Sequence, residues 1–378
     1  MFRRLPYILI VLHAYVAWRL LPDLLPGAFA FTAMALWLIA SAVATPLWPV
    51  ARRVARQPLK DGLMLASMLA IASFASLLAL TLVRDIALLG ALAFRAHGAV
   101  SVLWYEGALA VSILAAIAAI IGFVNARRRA RVRRVDVAIA GLPAALDGFS
   151  IAQITDLHVG PTIKRDYLER VVDAVNALDA DMIAVTGDLV DGSVRDLAHH
   201  TQPLGRLSAR HGAFFVTGNH EYYSGVHAWI EEVRGLGLSV LLNEHVILDH
   251  EGASVLVAGV TDYGAGYFDV SHHSDPAAAL SGAPDDVGVR LLLAHQPRSA
   301  FAAASAGFDL QLSGHTHGGQ IFPWSYLVRL QQPFIAGLHR VESLWVYISR
   351  GTGYWGPPKR LGAPSEITYL RLVREERL

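Results

Sequence analysis

The second half of the chain carries polar side chains of the kinds that bind divalent cations. They stand directly after short runs of Val, Ile, Leu and Ala, in five groups: Asp156-Leu157-His158, Gly187-Asp188, Gly218-Asn219-His220-Glu221, His295 and Gly314-His315-Thr316-His317. In Asp-x-His and His-x-His, alternate residues of an extended segment face the same way, so both can reach one cluster of metals. Carboxylates, imidazoles and an amide suit hard or borderline divalent metals.

One kind of chemistry that such groups can support is hydrolysis at phosphorus. Two divalent metals about 3.5–4 Å apart can share a bridging carboxylate and hold a phosphoryl group for in-line attack. One Asp-x-His group would be a weak signal, because most lone histidines are structural, but five groups in this order are a strong one. The chain has no cysteine, which excludes thiolate zinc sites, iron–sulfur clusters, disulfides and cysteine nucleophiles.

Strands of an α/β domain must position these groups. From Val135 onward, short β-rich runs alternate with stretches of helical periodicity such as Asp166–Leu178. The predicted buried strands are Ser150–Ile154, Met182–Thr186, Ala213–Thr217, Ser254–Gly259, Arg290–Ala294 and Asp309–Ser313. Because sheets of this class place their sites at the carboxyl ends of strands, we expect the five groups to meet there.

The order of the motifs resembles that of the calcineurin-like metallophosphoesterase superfamily, which runs D-x-H, G-D-x-x-D, G-N-H-E/D, H and G-H-x-H. The resemblance covers about residues 148–370 and looks closest to the bacterial membrane-anchored branch, as supported by Gly318-Gly319-Gln320, Tyr222-Tyr223 and Arg350-Gly351-Thr352-Gly353. It implies a β-sandwich flanked by helices on both outer faces. Two arginines of the Ser/Thr protein phosphatase branch are replaced here by Thr217 and Gly192, which weighs against a phosphoprotein substrate.

The resemblance also implies a role for each residue of the site. One metal would be bound by Asp156, His158, Asp188 and His317, and the second by Asp188, Asn219, His295 and His315, so that Asp188 bridges the two. His220 would contact the scissile phosphate and stabilise or protonate the leaving oxygen, while a hydroxide bridging the metals attacks phosphorus. Asp191 would brace the site. The expected cofactors are two divalent ions, Mn²⁺ first, with Zn²⁺ or Fe as alternatives.

The expected function is that of a membrane-bound phosphohydrolase that cleaves a phosphodiester or pyrophosphate bond. A lipid-linked molecule such as UDP-diacylglucosamine is one candidate substrate. The alternative is a non-catalytic membrane sensor or scaffold with a structural metal site, which an incomplete ligand set would favour. The expected partners are the phosphoester substrate and membrane lipids, with no nucleic acid and no protein partner.

Three further features leave alternatives open. The apolar stretch Ile321–Leu330 is either ordinary core or a wall for an acyl chain. Arg350 either reaches a phosphate or pairs with Glu366. The pairs His199-His200 and His272-His273 stand in polar stretches, and we expect them to be solvated surface.

The first third of the chain differs from the rest in charge and composition. Residues 1–134 hold 15 basic and 4 acidic residues, a charge of +11, whereas residues 135–378 hold 17 and 27, a charge of −10. Hydrophobic residues make up 54% of the chain and the mean hydropathy is +0.42, values that indicate contact with lipid. We therefore expect an all-α transmembrane region over residues 1–134 and the α/β metallophosphoesterase domain over residues 135–378.

Uncharged runs predict about four membrane spans, since a helix needs about 20 apolar residues to cross the hydrocarbon. Leu24–Ala51, Gly62–Val83 and Gly107–Ala126 are free of charge over 28, 22 and 20 residues. Leu5–Trp18, at 14 residues, is long enough only if Arg19 reaches the headgroups, and a signal peptide is the competing interpretation. The expected spans are 5–22, 25–50, 62–83 and 104–126.

The Lys and Arg residues around these spans predict an orientation. Twelve lie on one side of the membrane, in the N-terminus, in the connection between the second and third spans and in the chain after the fourth span. Three lie on the other side. The positive-inside rule then places both termini and the catalytic domain on the cytoplasmic side of the inner membrane. The arginine cluster over residues 127–134 directly follows the last span, which favours contact with anionic lipid over nucleic acid.

Overall fold

The protein, described by a computed structural model over residues 5–51, 53–54 and 56–375, divides into two compact units. The first unit is Met1–Arg127 with Gly356–Leu361, and the second is Arg128–Trp355 with Gly362–Leu378. Arg3, Arg4 and Arg52, which enter the charge count, lie outside the described residues, as do residues 376–378. The functional boundary expected after residue 134 stays a prediction.

Helices make up the first unit. They are α1 Leu5–Leu24, α2 Ala28–Ala44, α3 Leu47–Ala51, α4 Gln57–Ala93, α5 His97–Tyr105 and α6 Gly107–Arg127. Four stretches among the described residues are long and apolar enough to cross a membrane: Tyr7–Leu24, Ala28–Ala51, Gln57–Ala93 and Gly107–Arg127. This confirms the prediction of four apolar helices ahead of the α/β domain.

Helix α4 extends well beyond the predicted span 62–83, because the charged residues that end the uncharged run continue the helix. Arg84 is only 3% exposed and donates to the carboxylate of Asp23 and, at 2.9 Å, to the carbonyl oxygen of Leu103. Asp85 accepts two hydrogen bonds from the guanidinium of Arg19, both at 2.8 Å. Ionisable side chains are tolerated among apolar helices when they are paired in this way.

The segment Gly356–Leu361 packs with the helices of the first unit. Within it, Lys359 is fully buried, and its Nζ donates to the carbonyl oxygen of Ala72 at 2.9 Å and to the hydroxyl of Ser76, both on α4. Helix α6 meets the same side chain at Gly122, where a Cβ would collide with Lys359. Hydrogen bonds and a missing side chain therefore fix this segment between two helices.

Two six-stranded mixed sheets form the centre of the second unit. Their strands are β1 Arg131–Ile139, β2 Ser150–Ile154, β3 Met182–Thr186, β4 Ala213–Val216, β5 Ser239–Val240, β6 Glu244–His250, β7 Ala253–Gly259, β8 Val289–Leu293, β9 Leu310–Ser313, β10 Gly337–Val341, β11 Leu344–Ile348 and β12 Glu366–Arg374. The first sheet has the order β1-β12-β2-β3-β4-β5 and the second β10-β11-β9-β8-β7-β6. Strands β2 to β5 are parallel, as are β7, β8, β9 and β11.

The helices of this unit are α7 Arg165–Asn176, α8 Val194–Thr201, α9 Asn219–Ser224, α10 Val226–Gly235, α11 Ala300–Ala306 and α12 Ser325–Val328. The main core lies between the sheets, where Ile151 and Phe214 of the first sheet and Leu291 of the second share one apolar cluster. Because side chains alternate along a strand, Leu292 faces the other way and packs in a second cluster with Ala303 of α11. A β-sandwich with outer helices is thus confirmed.

Candidate metal centre

The five predicted groups lie at the carboxyl ends of five strands. Asp156 follows β2, Asp188 follows β3 and Asn219 follows β4, and these three strands are parallel neighbours in the first sheet. His295 follows β8, and the Gly314–His317 group follows β9, its parallel neighbour in the second sheet. The sheets therefore bring together side chains that are far apart along the chain.

Five of the seven predicted ligands have backbone angles in the left-handed region. The φ angles are +53° for Asp156, +50° for His158, +51° for Asp188, +69° for His315 and +52° for His317. Residues other than glycine adopt this region rarely, although Asp and His do so more readily than most. Such conformations concentrate where a tight turn directs a side chain into a functional site.

Asp156, His158 and His317 form a first triad, with one donor atom from each within 4.8 Å of the others. All three residues are buried. Nε2 of His317 lies 3.0 Å from Nε2 of His158 and 3.3 Å from Oδ1 of Asp156. Two imidazole nitrogens at this distance cannot both carry a proton on the line between them, so at least one of them presents a lone pair.

Asp188, His295 and His315 form a second triad by the same measure. Nε2 of His295 lies 3.2 Å from Oδ2 of Asp188 and 3.2 Å from Nδ1 of His315. The same Oδ2 of Asp188 is 3.8 Å from Nε2 of His158, in the first triad. Asp188 thus lies between the two triads, as a bridging carboxylate would.

Asn219 adds an oxygen that lacks a protein partner. Within the described part of the chain, its Oδ1 is buried and accepts no hydrogen bond. A buried polar atom left unsatisfied costs about 1–3 kcal/mol, a penalty that a bound cation would remove. Together with the carboxylates and imidazoles of both triads, this amide completes a donor set that fits two hard or borderline divalent metals.

Tight packing explains two of the motif glycines. A Cβ on Gly218 would collide with the carboxylate of Asp188, and a Cβ on Gly314 would collide with that of Asp156. The two carboxylates therefore approach the backbone of neighbouring strand ends more closely than any side chain would allow.

Charge interactions within the second triad shift the pKa values of its members apart. Burial would lower the pKa of His295, but the carboxylate of Asp188 holds it well above its usual value. Burial and the neighbouring charge of His295 lower the pKa of His315 to about 3. The pKa of His295 therefore lies above its usual value, whereas His315 is neutral at pH 7.

His220 lies beside the triads and is tied to them through Asp191. Oδ1 of Asp191 is hydrogen bonded to Nδ1 of His220 and, at 3.1 Å, to Nδ1 of His158. The backbone N–H of His220 donates to Oδ1 of Asp188 at 2.9 Å. Burial would lower the pKa of His220, but Asp188 and Asp191 raise it to about 9. The imidazole, 14% exposed, is protonated at neutral pH and can donate a proton.

Glu221 is a residue whose importance the sequence did not show. It is 1% exposed, and its Oε2 accepts from the backbone N–H groups of Asp188 at 3.0 Å and Gly218 at 2.6 Å. Its Oε1 accepts from the N–H of Leu189 at 2.8 Å. One buried carboxylate thus holds the backbone at Asp188, Leu189 and Gly218. The fourth position of the GNHE motif was the only available signal.

Exposed aromatic and apolar side chains surround His220 and follow the last ligands. The ring of His220 lies 5.2 Å from that of Tyr223 and 5.9 Å from that of Trp355, centroid to centroid. The stretch Ile321–Leu330 is largely exposed rather than core, with Phe322, Trp324, Tyr326, Leu327 and Leu330 open to solvent. We call the following seven residues the apolar rim: Tyr223, Phe322, Trp324, Tyr326, Leu327, Leu330 and Trp355.

The remaining open alternatives also have structural outcomes. Nη1 of Arg350 donates to Oε2 of Glu366 at 3.0 Å, so the pairing alternative describes this arginine. In the last turn of α8, His199 is exposed, as expected, whereas His200 is half-buried. His272 is half-buried, and its Nδ1 lies 2.9 Å from the hydroxyl of Tyr222. The expectation that His272 is a solvated surface residue is therefore wrong.

A protein-family model and several known proteins match the part of the chain that holds the site. The sequence profile described as calcineurin-like phosphoesterase matches residues 149–319. A transmembrane protein with metallophosphoesterase domain from Danio rerio is 38% identical over 268 residues, which are 69% of this chain and 61% of that protein. An uncharacterized metallophosphoesterase from Aquifex aeolicus is 31% identical over 244 residues, which are 64% of this chain and 91% of that protein.

Solved structures resemble this chain only distantly, and the vertebrate relatives are longer than the part that matches. A putative 5′-nucleotidase from Staphylococcus aureus has 14% identity and a TM-score of 0.37, covering 60% of this chain and 55% of that chain. The relative from Bos taurus, also a transmembrane protein with metallophosphoesterase domain, is 40% identical and is covered over 62% of its length, against 70% of this chain. This chain thus spans about three fifths of both vertebrate relatives.

Proposed function

Because the chain belongs to the calcineurin-like phosphoesterase family, we propose that it is a membrane-bound, metal-dependent phosphoesterase that cleaves a phosphodiester or pyrophosphate bond. The observation that carries this proposal is the pair of ligand triads that share Asp188. The four apolar helices and the transmembrane relatives support a membrane protein.

The family implies a dinuclear divalent metal centre, and the residues present fit one. In the proposal, one metal takes Asp156, His158, Asp188 and His317, and the other takes Asp188, Asn219, His295 and His315. The sulfur-free donor set favours exchangeable ions, and Mn²⁺ is our first candidate. When bound, two such cations neutralise phosphoryl charge and lower the pKa of a water.

His220 is the proposed proton donor to the leaving oxygen. Its raised pKa, to about 9, keeps the imidazole charged at neutral pH, and its partial exposure lets it reach a substrate. Asp191 positions the ring by accepting from Nδ1, which leaves the proton on Nε2 for transfer. The same carboxylate orients His158, so it couples the proton donor to a ligand of the first metal.

The proposed substrate is lipid-linked, and the apolar rim is the feature that supports this. Trp324 and Tyr326 are 48% and 62% exposed, and Trp355, next to His220, is 55% exposed. Aromatic side chains with an apolar body and a polar tip are well suited to the region of lipid headgroups and upper acyl chains. A phosphate held at the triads could thus have its acyl chains on the rim.

An assay on the purified full-length chain in detergent tests the activity. We expect hydrolysis of a generic chromogenic phosphodiester with added Mn²⁺ and loss of hydrolysis with a chelator. A panel of nucleotide diesters, glycerophosphodiesters and UDP-diacylglucosamine then compares substrates. The metal-replete protein failing on every phosphoester would contradict the proposed activity.

Variants of the rim separate the lipid-linked substrate from the activity itself. Exchange of Trp324 and Tyr326 for Ser should raise KM for UDP-diacylglucosamine and leave KM for the chromogenic diester unchanged. Phe301, an exposed aromatic residue on α11, provides the matched control as Phe301→Ser. Equal effects on both substrates would argue against a lipid-linked substrate while leaving phosphoester hydrolysis in place.

We further propose that the catalytic domain lies in the cytoplasm, on the ratio of 12 to 3 basic residues across the predicted spans. A fluorescent reporter fused after residue 378 should be active, and alkaline phosphatase fused there should be inactive. Activity of only the alkaline phosphatase fusion would reverse the orientation and place the substrate outside.

A further inference from the structure

A cluster of potential metal ligands lies outside the two triads, on helix α10 and on the connection between β7 and β8. His227, Asp269 and His272 each provide a donor atom, and these atoms lie within 4.8 Å of one another. Nε2 of His227 is 3.3 Å from Oδ2 of Asp269. The rings of His227 and His272 meet nearly edge to face, with centroids 5.3 Å apart and planes at 70°.

Hydrogen bonds fix the carboxylate so that one oxygen is left for a ligand. Oδ1 of Asp269 accepts from the backbone N–H of Ser271 at 2.9 Å and from its hydroxyl at 2.6 Å. Both bonds go to the same oxygen, and Oδ2 faces His227. Carboxylates that bind metals are typically held by such a second set of hydrogen bonds.

The imidazole of His272 is fixed in the same manner. Its Nδ1 lies 2.9 Å from the hydroxyl of Tyr222, and the backbone carbonyl oxygen of His272 accepts a hydrogen bond from the hydroxyl of Thr261 at 2.7 Å. Donation from Nδ1–H to the tyrosine hydroxyl would leave the lone pair on Nε2, the form in which histidine binds metal. An ordinary ion pair between His227 and Asp269 would not explain why the imidazole of His272 is oriented towards them.

We propose that His227, Asp269 and His272 form a third metal site, for a borderline divalent cation such as Zn²⁺, in addition to the dinuclear centre of the proposed function. Two imidazoles and one carboxylate are a ligand set that Zn²⁺ takes readily when a fourth position stays open. The side chain of His227 is 71% exposed, so water has access to that position.

Such a site would fasten one loop of the second unit to α10. Asp269 and His272 lie in the loop that also carries the highly exposed Tyr267 and Val270, whereas His227 lies on α10. A bound cation would tie the two together and reduce local opening of the loop, because binding stabilises the state in which all three ligands are assembled.

Metal content is the first test, with Zn²⁺ alone as the probe. The full-length chain is dialysed against Zn²⁺ and analysed for bound metal by mass spectrometry. We expect three equivalents for the unmodified protein and two for the double variant His227→Ala, His272→Ala. Asp188→Asn should keep the single equivalent of the third site, and His273→Ala, which changes an exposed neighbouring histidine, should keep all three.

Hydrogen exchange provides a second readout that does not depend on phosphoester hydrolysis. Zn²⁺ should slow amide exchange over residues 265–273 in the unmodified protein and not in the double variant. Ser271→Ala, which removes one hydrogen bond to Asp269, should weaken binding at this site about 10–100-fold. Equal zinc content in the unmodified protein and the double variant would overturn the proposal, as would an identical exchange response in both.

Discussion

The buried carboxylate of Glu221 offers a sharp test of how the centre is held together. We consider Glu221→Gln, which keeps the shape of the side chain and replaces one acceptor oxygen by an NH₂ group that can only donate. Because all three contacts of Glu221 are with backbone N–H donors, an NH₂ group must face at least one of them. The smallest disturbance puts the amide oxygen at the position shared by Asp188 and Gly218 and turns NH₂ towards Leu189.

The magnitude follows from this single mismatch. One buried N–H group, that of Leu189, loses its acceptor, which costs about 1–3 kcal/mol. Burial and the charge of Asp188 raise the pKa of Glu221 to about 7, so the side chain is partly protonated at neutral pH. A protonated carboxyl group still has lone pairs on both oxygens, whereas the glutamine NH₂ group has none, and the variant therefore remains destabilised at any pH.

Thermal unfolding with and without chelator measures the effect. For a unit of this size, about 1–3 kcal/mol corresponds to a fall in Tm of about 2–12 °C. Metal affinity should also fall by about 10–100-fold, because the backbone of the bridging ligand is no longer fixed. Glu231→Gln, which removes the same charge at an exposed position on α10, is the control. A Tm for Glu221→Gln equal to that of the control would refute the reasoning.

Three further outcomes are expected. Asp188→Asn should lose both metals of the centre, whereas His220→Ala should keep them and lower turnover by about 10²–10⁴-fold. Metal analysis and steady-state kinetics of both variants test this. Loss of metal from the His220→Ala variant would make His220 a ligand. Metal binding should release a proton, because His295 has a raised pKa and must become neutral; affinity should therefore fall as the pH falls, and calorimetry in two buffers should detect the proton. Gly122→Ala should lower the free energy of unfolding by about 1–3 kcal/mol, because the new Cβ would collide with Lys359. The loss should be clearly smaller when Lys359→Ala is already present, and thermal melting of the two single variants and the double variant measures this.

The sequence predicted six central strands of the two sheets better than any other part of the fold. Strands β2 and β3 occupy the predicted residues, β4, β7 and β9 differ by one residue at one end, and β8 is shifted by one residue. These strands are buried on both faces, so they appear in the sequence as continuous apolar runs ended by glycine or a polar ligand. Strands at or near the sheet edges, such as β1, β6 and β10, have exposed or half-buried residues and no such pattern.

Side chains that act through tertiary contacts were beyond the reach of sequence reasoning. Helix α4 is longer than the expected span over residues 62–83, because an arginine and an aspartate look like the end of a span until their partners on other helices are known. His272 was expected to be solvated, because neither its spacing nor its neighbours in the chain show the contacts with Tyr222 and His227. Motif spacing carries information about ligands at strand ends, and it carries little about residues that meet from separate loops.

The backbone of the centre explains why its supporting residues matter as much as its ligands. Five of the proposed ligands lie in the left-handed region at a cost of about 1–3 kcal/mol each, so their combined strain is comparable to the net stability of a typical domain. Hydrogen bonds to neighbouring strand ends offset part of this strain: the N–H of Asp156 donates to Gly187 at 3.0 Å, and that of His158 to Asp188 at 3.1 Å. Glu221 adds the bond to the N–H of Asp188 itself. A bound cation would stabilise the same conformations, since it interacts with the side chains only when the turns are in place. The left-handed turns therefore couple metal affinity to the stability of the strand ends, and a change that loosens either one must weaken the other.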